Sequence, residues 1–385
     1  MRIVFIAPFG MVPKGTAQVR ALPLAQALCR RGHQVKLVLP PFHTPAVCGQ
    51  QWNVGGVEIE NIRLSRFPTL GYGISAWRLV RRALAWRPQV IHCFKPKGYS
   101  GLALWLLWWW WQPGKRPVRL VLDSDDWEGR GGWNELEPYP GWQKRLFARQ
   151  EQWGLTHADA VTVASRGLET IVWSLGVRPE RVIYMPNGAA VNRPVQADAG
   201  SQPIVLLYTR FFEFDVRRVV SVFHQVRQRV PEARLRVVGK GLCGEETQLL
   251  ACSAAAGLQD SVEYLGWVPQ EELPIHFAAA RCALVPLNDT LVNRTRCSVK
   301  LADLLASGVP VVAEAVGQNQ EYIETQRSGL LVPTGDDAAM TEACVRLLTD
   351  PHLRATLAAG AQERMETHLG WDRLAECAES AYQIR

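Results

Sequence analysis

The sequence predicts an α/β protein with two Rossmann-like domains that face each other across a cleft. Short buried-strand patterns alternate with helical patterns along most of the chain, which favours parallel sheets covered by helices. One polar stretch with two prolines interrupts this alternation near residue 190 and has the composition of a linker. A length of 385 residues, 48% of them hydrophobic, is enough for two separate cores.

The first half opens on a strand over residues 2–8, because its apolar run does not alternate with polar residues. A loop rich in glycine and proline follows, and then a helix over about 16–31, which Gly32 ends. Further strands, with helices between them, are predicted at 34–40, 90–94, 119–124, 160–165 and 181–186. The predicted first domain therefore covers 1–188, and a linker covers 189–203.

A second alternation of strands and helices predicts another domain over 204–368. Its strands are predicted at 203–210, 234–239, 262–266, 282–287, 309–315 and 329–333. Its helices are predicted at 216–229, 270–280, 298–307, 336–349 and 352–367. A last helix within 369–385 is expected to pack back toward the first domain. Open parallel sheets bind ligands beyond the carboxyl ends of their strands, so we expect ligands in the cleft.

The charge is distributed unevenly along the chain. The net charge is +7, but residues 1–122 alone carry +15, with Glu58 and Glu60 as their only acids. Such asymmetry favours an anionic partner: a membrane surface, a phosphorylated substrate or nucleic acid. The chain has no nucleic-acid recognition motif, so we expect no nucleic-acid partner.

The nine cysteines are scattered and form no C-x-x-C pair, which favours a reducing cytosol and argues against a metal site. The first residues have no signal-peptide pattern, so we expect a cytoplasmic protein. Trp105 and Trp108–Trp111 lie in an uncharged run that is too short to span a bilayer. This run has two interpretations: a buried core helix, or a face that touches a membrane.

The sequence lacks the dinucleotide-binding motif G-x-G-x-x-G after its first strand, and it lacks the Walker lysine motif that binds nucleotide phosphates. Gly15 does precede a predicted helix, where backbone N–H groups attract an anion. A plain tight turn is the alternative interpretation of this glycine.

In the second domain, basic residues lie where a phosphate is easily held. Arg210 directly follows a strand, and Asp215 is a possible N-cap before Arg217 and Arg218. These two arginines are alternatively a solvated surface. Farther along, Ser298 is a natural N-cap for a helix that carries Lys300 and Asp303 on one face. Together they suit a nucleoside diphosphate and its ribose hydroxyls.

The order of several short motifs resembles one known family over nearly the whole chain. These motifs are RRGHQV, HADAVTVASRGLE, MPNG, RLRVVGKG, YLGWVP, KLADLLASGVPVVAEAVGQNQEYI and SGLLVP. In this order they are similar to glycosyltransferase family 4, a large group of retaining transferases with the GT-B fold.

This resemblance implies a nucleoside diphosphate sugar, expected to be a UDP- or GDP-sugar, as the co-substrate in the second domain. It implies no metal and no further cofactor, since basic residues and helix N-termini balance the phosphate charge. The implied donor-binding residues are Gly15, Arg210, Arg217, Gly239, Lys240, Trp267, Ser298, Lys300 and Asp303. The implied acceptor-side residues are Lys14, Thr16, Arg20, Lys95, Lys97, Trp127 and Glu128. The implied catalytic residues are Asp125, Asp126, Arg210 and Lys300.

Two positions depart from the family pattern. The family has a pair of acids eight positions apart; here the second is Asp303, and Thr295 stands at the first. Lys300 is expected to compensate for the missing charge. Many members also end a strand of the first domain with a histidine, and here Asp125 or Asp126 lies nearest that position.

The leading hypothesis is therefore a retaining glycosyltransferase. Because Arg78, Arg81, Arg82 and Arg87 precede the tryptophan run, we expect a lipid-linked or membrane-proximal acceptor at the inner face of the cell membrane. Two alternatives stay open: a UDP-sugar 2-epimerase of the same fold, and a non-catalytic subunit that binds nucleotide sugars.

Overall fold

A computed structural model describes residues 1–12, 15–67, 70–110, 117–191 and 202–383. It divides into two compact units. The first unit comprises Met1–Gly188, Thr295–Cys297 and Trp371–Arg385, and the second comprises Ala189–Arg294 and Ser298–Gly370. Both units are α/β domains, with a wholly parallel sheet in the second unit and a sheet that is parallel except at one edge in the first, so the predicted fold class is confirmed. Most of the predicted linker, residues 192–201, lies outside the described residues.

The first unit is built on an eight-stranded sheet with the spatial order β3-β4-β2-β1-β5-β6-β7-β8. Its strands are β1 (Arg2–Ile6), β2 (Gln34–Leu39), β3 (Gln51–Val54), β4 (Val57–Asn61), β5 (Val90–Phe94), β6 (Arg119–Ser124), β7 (Ala160–Val163) and β8 (Val182–Tyr184). Its helices before residue 190 are α1 (Leu22–Arg30), α2 (Leu70–Ala85), α3 (Tyr99–Trp110), α4 (Gly141–His157) and α5 (Arg166–Ser174). A π-helical turn, Ala17–Ala21, leads directly into α1.

The edge of this sheet differs from the prediction, because the chain forms an antiparallel hairpin of β3 and β4 there. Gly55 and Gly56 form its two-residue turn with φ angles of +58° and +86°. Both central residues of such a turn need positive φ, and a Gly-Gly pair meets that need without strain. The pair of glycines was therefore the signal for this hairpin. The other strand pairs of the sheet are parallel.

The second unit has a six-stranded, wholly parallel sheet with the order β11-β10-β9-β12-β13-β14. Its strands are β9 (Ile204–Tyr208), β10 (Arg234–Val238), β11 (Val262–Gly266), β12 (Ala280–Val285), β13 (Val311–Glu314) and β14 (Leu330–Val332). Its helices are α6 (Val216–Arg229), α7 (Glu245–Ala255), α8 (Leu273–Ala279), α9 (Leu291–Thr295), α10 (Val299–Ala306), α11 (Asn319–Tyr322), α12 (Asp337–Thr349) and α13 (Pro351–Thr367).

The last helix, α14 (Trp371–Gln383), packs in the first unit beside α1. Trp371, Leu374 and Ala378 on its apolar face are buried in that unit's core. On its polar face, Glu379 accepts hydrogen bonds from Arg31 at 2.8 and 2.9 Å. The bond from Arg31, helped by one from His33 and opposed by burial, lowers the pKa of Glu379 to about 2. Apolar packing and charge pairing together fix α14 on the first unit.

Part of the tryptophan run is packed against the protein, as a core helix would be, and part is exposed, as a membrane-facing surface would be. Trp105 and Trp108 pack edge-on against Trp153 of α4, with ring centroids 6.0 and 5.3 Å apart. Trp109 and Trp110 at the end of α3 are 76% and 66% exposed. Trp111 lies outside the described residues. Within the described ranges, every helix is too short or too polar to cross a lipid bilayer.

Candidate functional site

In the first unit, three predicted residues follow strands that lie side by side. β1, β5 and β6 are parallel neighbours, so the loops after them emerge at one edge of the sheet. Thr16 lies beyond β1, Lys95 follows β5, and Asp125 follows β6. The Thr16 hydroxyl donates to Asp125 Oδ2 at 2.7 Å, and Lys95 Nζ lies 3.5 Å from Asp125 Oδ1. The fold thus brings together residues that are more than 100 positions apart in the sequence.

Lys95, Lys97, Asp125, Asp126 and Glu128 form a lysine–carboxylate cluster at this edge. Lys95 Nζ contacts Asp126 at 2.6 Å and Glu128 at 3.3 Å. Lys97 Nζ contacts Glu128 at 3.0 Å. Most of these side chains are buried, and Asp126 is the most exposed at 21%. Charges so poorly solvated stay ionised only if they are paired, so the cluster is held together electrostatically.

The pKa directions follow from burial and pairing. Burial opposes the charge of Lys95, but the three carboxylates outweigh it and raise the Lys95 pKa well above its usual value. Burial also disfavours ionised Asp125, yet Lys95 and the Thr16 hydroxyl lower the Asp125 pKa below the ordinary value. Asp125 therefore remains an anion. Its Oδ1 is buried and accepts no hydrogen bond from the described residues, although Lys95 Nζ lies 3.5 Å away.

The loop after β6 is supported by a side chain that no sequence pattern indicates. Glu151 of α4 accepts hydrogen bonds from the Ser124 hydroxyl at 3.0 Å and from the Glu128 amide at 2.7 Å. Burial, together with the nearby charge of Glu128, raises the pKa of Glu151 well above its usual value. A single acid in the middle of a helix carries no local signal of such a role, since only the tertiary fold places it under the loop.

Arg20 does not lie where the resemblance implied. Its side chain is fully buried and forms a two-pronged ion pair with Asp123, both distances being 2.7 Å. The remaining guanidinium protons go to the carbonyls of Met185 and Pro186 and to the Asn187 side chain. In this structure Arg20 has no exposed surface for an acceptor. It instead fixes the chain at the end of β8.

The other acceptor-side residues are also enclosed. Lys97 lies over the ring of Tyr139 at 4.7 Å. Trp127 is buried against a tight turn in which a Cβ at Gly132 would lie 2.0 Å from the Trp127 carbonyl oxygen. Gly15, which the resemblance implied for donor binding, also lies in this first unit, and its carbonyl accepts backbone bonds from the first turn of the following helix. Lys14 lies outside the described residues.

In the second unit, the loop after β9 carries Arg210 and is held by an acid that the sequence did not single out. Glu213 is buried and accepts hydrogen bonds from the Thr209 hydroxyl at 3.0 Å and the Arg210 amide at 3.1 Å. Lys300 Nζ contacts the same carboxylate at 2.9 Å. Glu213 therefore links the two basic residues that were expected at the donor phosphates. Its signal was an acid within the aromatic run FFEF.

The backbone of this loop is constrained. Phe211 has a φ of +67°, which is costly for a residue with a Cβ. Gly239 after β10 packs so closely that a Cβ there would lie 1.8 Å from the Thr209 carbonyl oxygen. The Arg210 side chain is half-buried and has no carboxylate partner among the residues that the structure describes. The loop thus presents a cation at the end of β9.

The helix predicted to face the diphosphate begins as expected. Ser298 caps α10, and its hydroxyl accepts from the Leu301 amide. Asp303 lies near Tyr208 at the end of β9. The pKa of Tyr208 is raised chiefly by burial and next by the negative charge of Asp303. Thr295 is buried within the first unit, where its carbonyl accepts a bond from the Ser165 hydroxyl.

The two arginines of α6 differ from each other. Arg217 is largely exposed and pairs with Asp215, which caps the helix as predicted. Arg218 contacts Glu314 at 3.0 Å and Asp337 at 2.6 Å, so its charge is balanced within the unit. Lys240 is exposed, and Trp267, just after β11, is 61% exposed. Of these residues, Trp267 offers the largest free surface at the carboxyl edge of the sheet.

Two family models match the chain. A glycosyl transferase 4-like domain matches residues 15–188, and a glycosyl transferases group 1 domain matches residues 202–350. The solved structure of sucrose-phosphate synthase from Thermosynechococcus elongatus has a TM-score of 0.75 at 20% identity. That match covers 99% of this chain and 98% of the synthase, and it supports the shared fold.

Three curated proteins are similar in sequence. A phosphatidyl-myo-inositol mannosyltransferase of Mycobacterium leprae is 26% identical over 94% of this chain and 91% of its own length. A D-inositol 3-phosphate glycosyltransferase of Salinispora arenicola is 38% identical over 35% of this chain and 29% of its own length. A GDP-mannose-dependent alpha-(1-6)-phosphatidylinositol monomannoside mannosyltransferase of Mycolicibacterium smegmatis is 29% identical over 47% of this chain and 48% of its own length.

Proposed function

Because the chain belongs to the family 4 glycosyltransferases of the GT-B fold, we propose that it moves a hexose from a GDP- or UDP-sugar to a hydroxyl of a lipid-linked acceptor, with retention at the anomeric carbon. Its relatives are named as transferases, which favours transfer over epimerisation. The names of two of them include phosphatidylinositol lipids, and one includes GDP-mannose.

The observation that carries this proposal is the Arg210 guanidinium, presented after β9 on a loop that Glu213 also ties to Lys300. In retaining transfer the leaving diphosphate gains negative charge as the sugar departs. A pre-placed cation stabilises that charge more in the transition state than in the bound donor. Arg210 and Lys300 supply this stabilisation, while Asp303 binds the ribose hydroxyls.

On the acceptor side, Asp125 is the better of the two predicted aspartates. Lys95 Nζ binds Asp126 at 2.6 Å but lies 3.5 Å from Asp125 Oδ1, and that buried oxygen accepts no hydrogen bond from the described part of the chain. An ionised carboxylate with one uncommitted oxygen accepts a hydrogen bond from a hydroxyl and orients it for attack. Asp125 therefore orients the acceptor.

The surface of the first unit fits an acceptor held in an anionic membrane. Its large exposed apolar side chains include Phe42, Phe67, Leu70, Tyr72, Trp77, Trp109, Trp110 and Trp142. Arg63, Arg66, Arg81 and Arg87 are exposed in the same unit and have no carboxylate partner among its described residues. Arg82 differs because it pairs with Glu60. Aromatic and cationic side chains in combination favour the headgroup region of a bilayer.

The test is a donor panel. The purified chain is incubated with GDP-, UDP- and ADP-sugars in the presence of vesicles that contain phosphatidylinositol, and released nucleoside diphosphate and glycolipid are measured. The active donor's nucleotide at 100 times its dissociation constant should raise the free energy of unfolding by about 2.7 kcal/mol. Inversion of UDP-GlcNAc at C2 without transfer would favour the epimerase. Stabilisation by a nucleotide sugar without any turnover would favour a non-catalytic subunit.

A further inference from the structure

Lys95, the first residue after β5, has an unfavourable backbone conformation. Its φ is +46°, in the left-handed region that residues with a Cβ avoid. Its amide donates to the Asp123 carbonyl at 2.8 Å, and its own carbonyl accepts from Ser100 at 2.5 Å and from the Lys97 amide at 2.6 Å. Several bonds thus hold a strained residue in place, as happens where a site needs a side chain in one position.

The strained backbone places the ammonium group among three carboxylates from the loop after β6. Lys95 Nζ lies 2.6 Å from Asp126, 3.3 Å from Glu128 and 3.5 Å from Asp125. The side chain is 8% exposed, so solvent screens these contacts little. The neighbouring Lys97 is equally buried but is paired only with Glu128 among the carboxylates of the described cluster.

We propose that Lys95 is a positioning residue: it fixes the loop carboxylates so that Asp125 Oδ1 faces the acceptor hydroxyl as an anion. This inference rests on the proposed transfer reaction. Lys95 does not itself contact the reacting atoms; it acts through Asp125. The carboxylate that orients the hydroxyl would, without this ammonium group, lie buried beside like charges and bind a proton.

The groups that face Asp125 come from several elements. Thr16 and Arg20 come from the segment after β1, Asp123 from β6, and Asp126 and Glu128 from the same loop as Asp125. Arg20 is already committed to Asp123, and Thr16 is neutral. Lys95 is therefore the cation on which the ionisation of Asp125 chiefly depends.

The experiment compares Lys95→Met and Lys95→Gln with the wild-type protein across pH 5 to 8. In the wild type, turnover should not fall at the acid end through Asp125, because the Asp125 pKa lies below its ordinary value. In both variants, kcat should fall as the pH drops from 8 to 5, because a buried Asp125 without the Lys95 charge has a raised pKa and binds a proton. The KM for the donor should not change. Lys95→Arg keeps the charge and should restore the flat profile.

Two controls separate this role from a merely structural one. Lys97→Met removes an equally buried lysine and should create no acid limb, whatever it does to stability. Asp126→Asn breaks the same ion pair as Lys95→Gln but removes a negative charge near Asp125, so it should also create no acid limb. Equal pH profiles for Lys95→Gln and Asp126→Asn would overturn the proposal.

A second measurement does not depend on turnover. In protein labelled with ¹³C-aspartate, the Asp125 carboxyl resonance, identified by its loss in Asp125→Asn, should titrate at higher pH in Lys95→Gln than in the wild type. Identical titration would overturn the role of Lys95 even if transfer is confirmed. A raised titration in a protein that transfers no sugar would instead overturn the proposed function.

Discussion

Two residues in the loops of the candidate sites, Lys95 and Phe211, share an unfavourable backbone conformation. Lys95 and Phe211 both have positive φ and both lie in loops directly after buried strands, at +46° and +67°. Each loop is tied down by buried polar partners: the Asp123 carbonyl and Ser100 for Lys95, and Glu213 for the loop that contains Phe211. Positive φ at residues with a Cβ costs folding free energy, about 1–3 kcal/mol each. Backbone strain of this kind is typical of functional sites, which agrees with the roles proposed for these two strand ends.

The first prediction at this scale concerns Arg210. Arg210→Ala should raise the dissociation constant of GDP or UDP about 10- to 150-fold, because a charge-assisted hydrogen bond contributes about 1.5–3 kcal/mol. Isothermal titration calorimetry measures this constant directly. Arg229→Ala is the matched control, since Arg229 lies on α6, is half exposed and pairs only at the surface with Glu342. Equal constants for the two variants would remove Arg210 from the phosphate site.

At the scale of elements, the sequence predicted most strands and helices because each has an unbroken local pattern. The strand at Val90–Phe94 and the helix at Val216–Arg229 match their predicted bounds. The hairpin of β3 and β4 was missed because its strands are short and partly polar. The alternation of apolar and polar residues on either side of the Gly-Gly turn is therefore weak.

The candidate site was less predictable than the elements. Arg210, Lys95 and Asp125 could be found because each follows a strand whose carboxyl end was visible in the sequence. Glu151 could not, since nothing local shows that an acid will be buried beneath a loop, and Glu213 had only its place in the aromatic run FFEF as a signal. Whether Arg20 faced solvent or the core was also undecidable from its own helix, because its partner Asp123 is 103 residues away.

The attachment of α14 to the first unit depends on a buried chain of hydrogen bonds. Thr162 donates to Asp123 at 2.6 Å, so His92 must donate to Thr162 from Nε2 and accept from the Tyr382 hydroxyl at Nδ1. Burial, reinforced by the charge of Arg20, lowers the pKa of His92 well below its usual value and keeps it neutral. The last helix therefore supports the ion pair of Asp123 and Arg20 through two intervening side chains.

The second prediction follows from this chain. Tyr382→Phe should lower the free energy of unfolding by about 1–3 kcal/mol, because it leaves the buried His92 Nδ1 without a donor. Urea denaturation measures the change. Tyr72→Phe is the matched control, since Tyr72 is 49% exposed and its hydroxyl can bond to water. If both variants lose the same stability, the hydrogen bond from Tyr382 does not contribute as the geometry implies.

On the scale of the whole molecule, charge and function are divided between the two halves of the sequence. Residues 1–122 carry +15, so the remaining residues together carry −8. In the first unit the cations are of two kinds: Arg20, Lys95 and Lys97 are buried and paired, and a second set is exposed, of which Arg81 lies 5.1 Å over the Trp77 ring. Only the exposed set can attract an anionic surface. The buried set instead holds loops in place: Lys95 and Lys97 pair with the loop after β6, and Arg20 fixes the chain at the end of β8.

The last prediction tests this surface. Each exposed arginine near an anionic leaflet contributes on the order of 1 kcal/mol, and the attraction decays within a Debye length of about 10 Å at 0.1 M salt. The chain should therefore sediment with vesicles that contain phosphatidylserine at low salt, and much less at high salt or with neutral vesicles.

Trp109→Ser with Trp110→Ser should reduce this binding, because those side chains are 76% and 66% exposed. Trp173→Ser, which alters an exposed tryptophan on α5, is the control and should bind like the wild type. Equal, negligible sedimentation with both kinds of vesicle would exclude the membrane surface as a partner, while the transfer reaction proposed for Arg210 and Asp125 would stand.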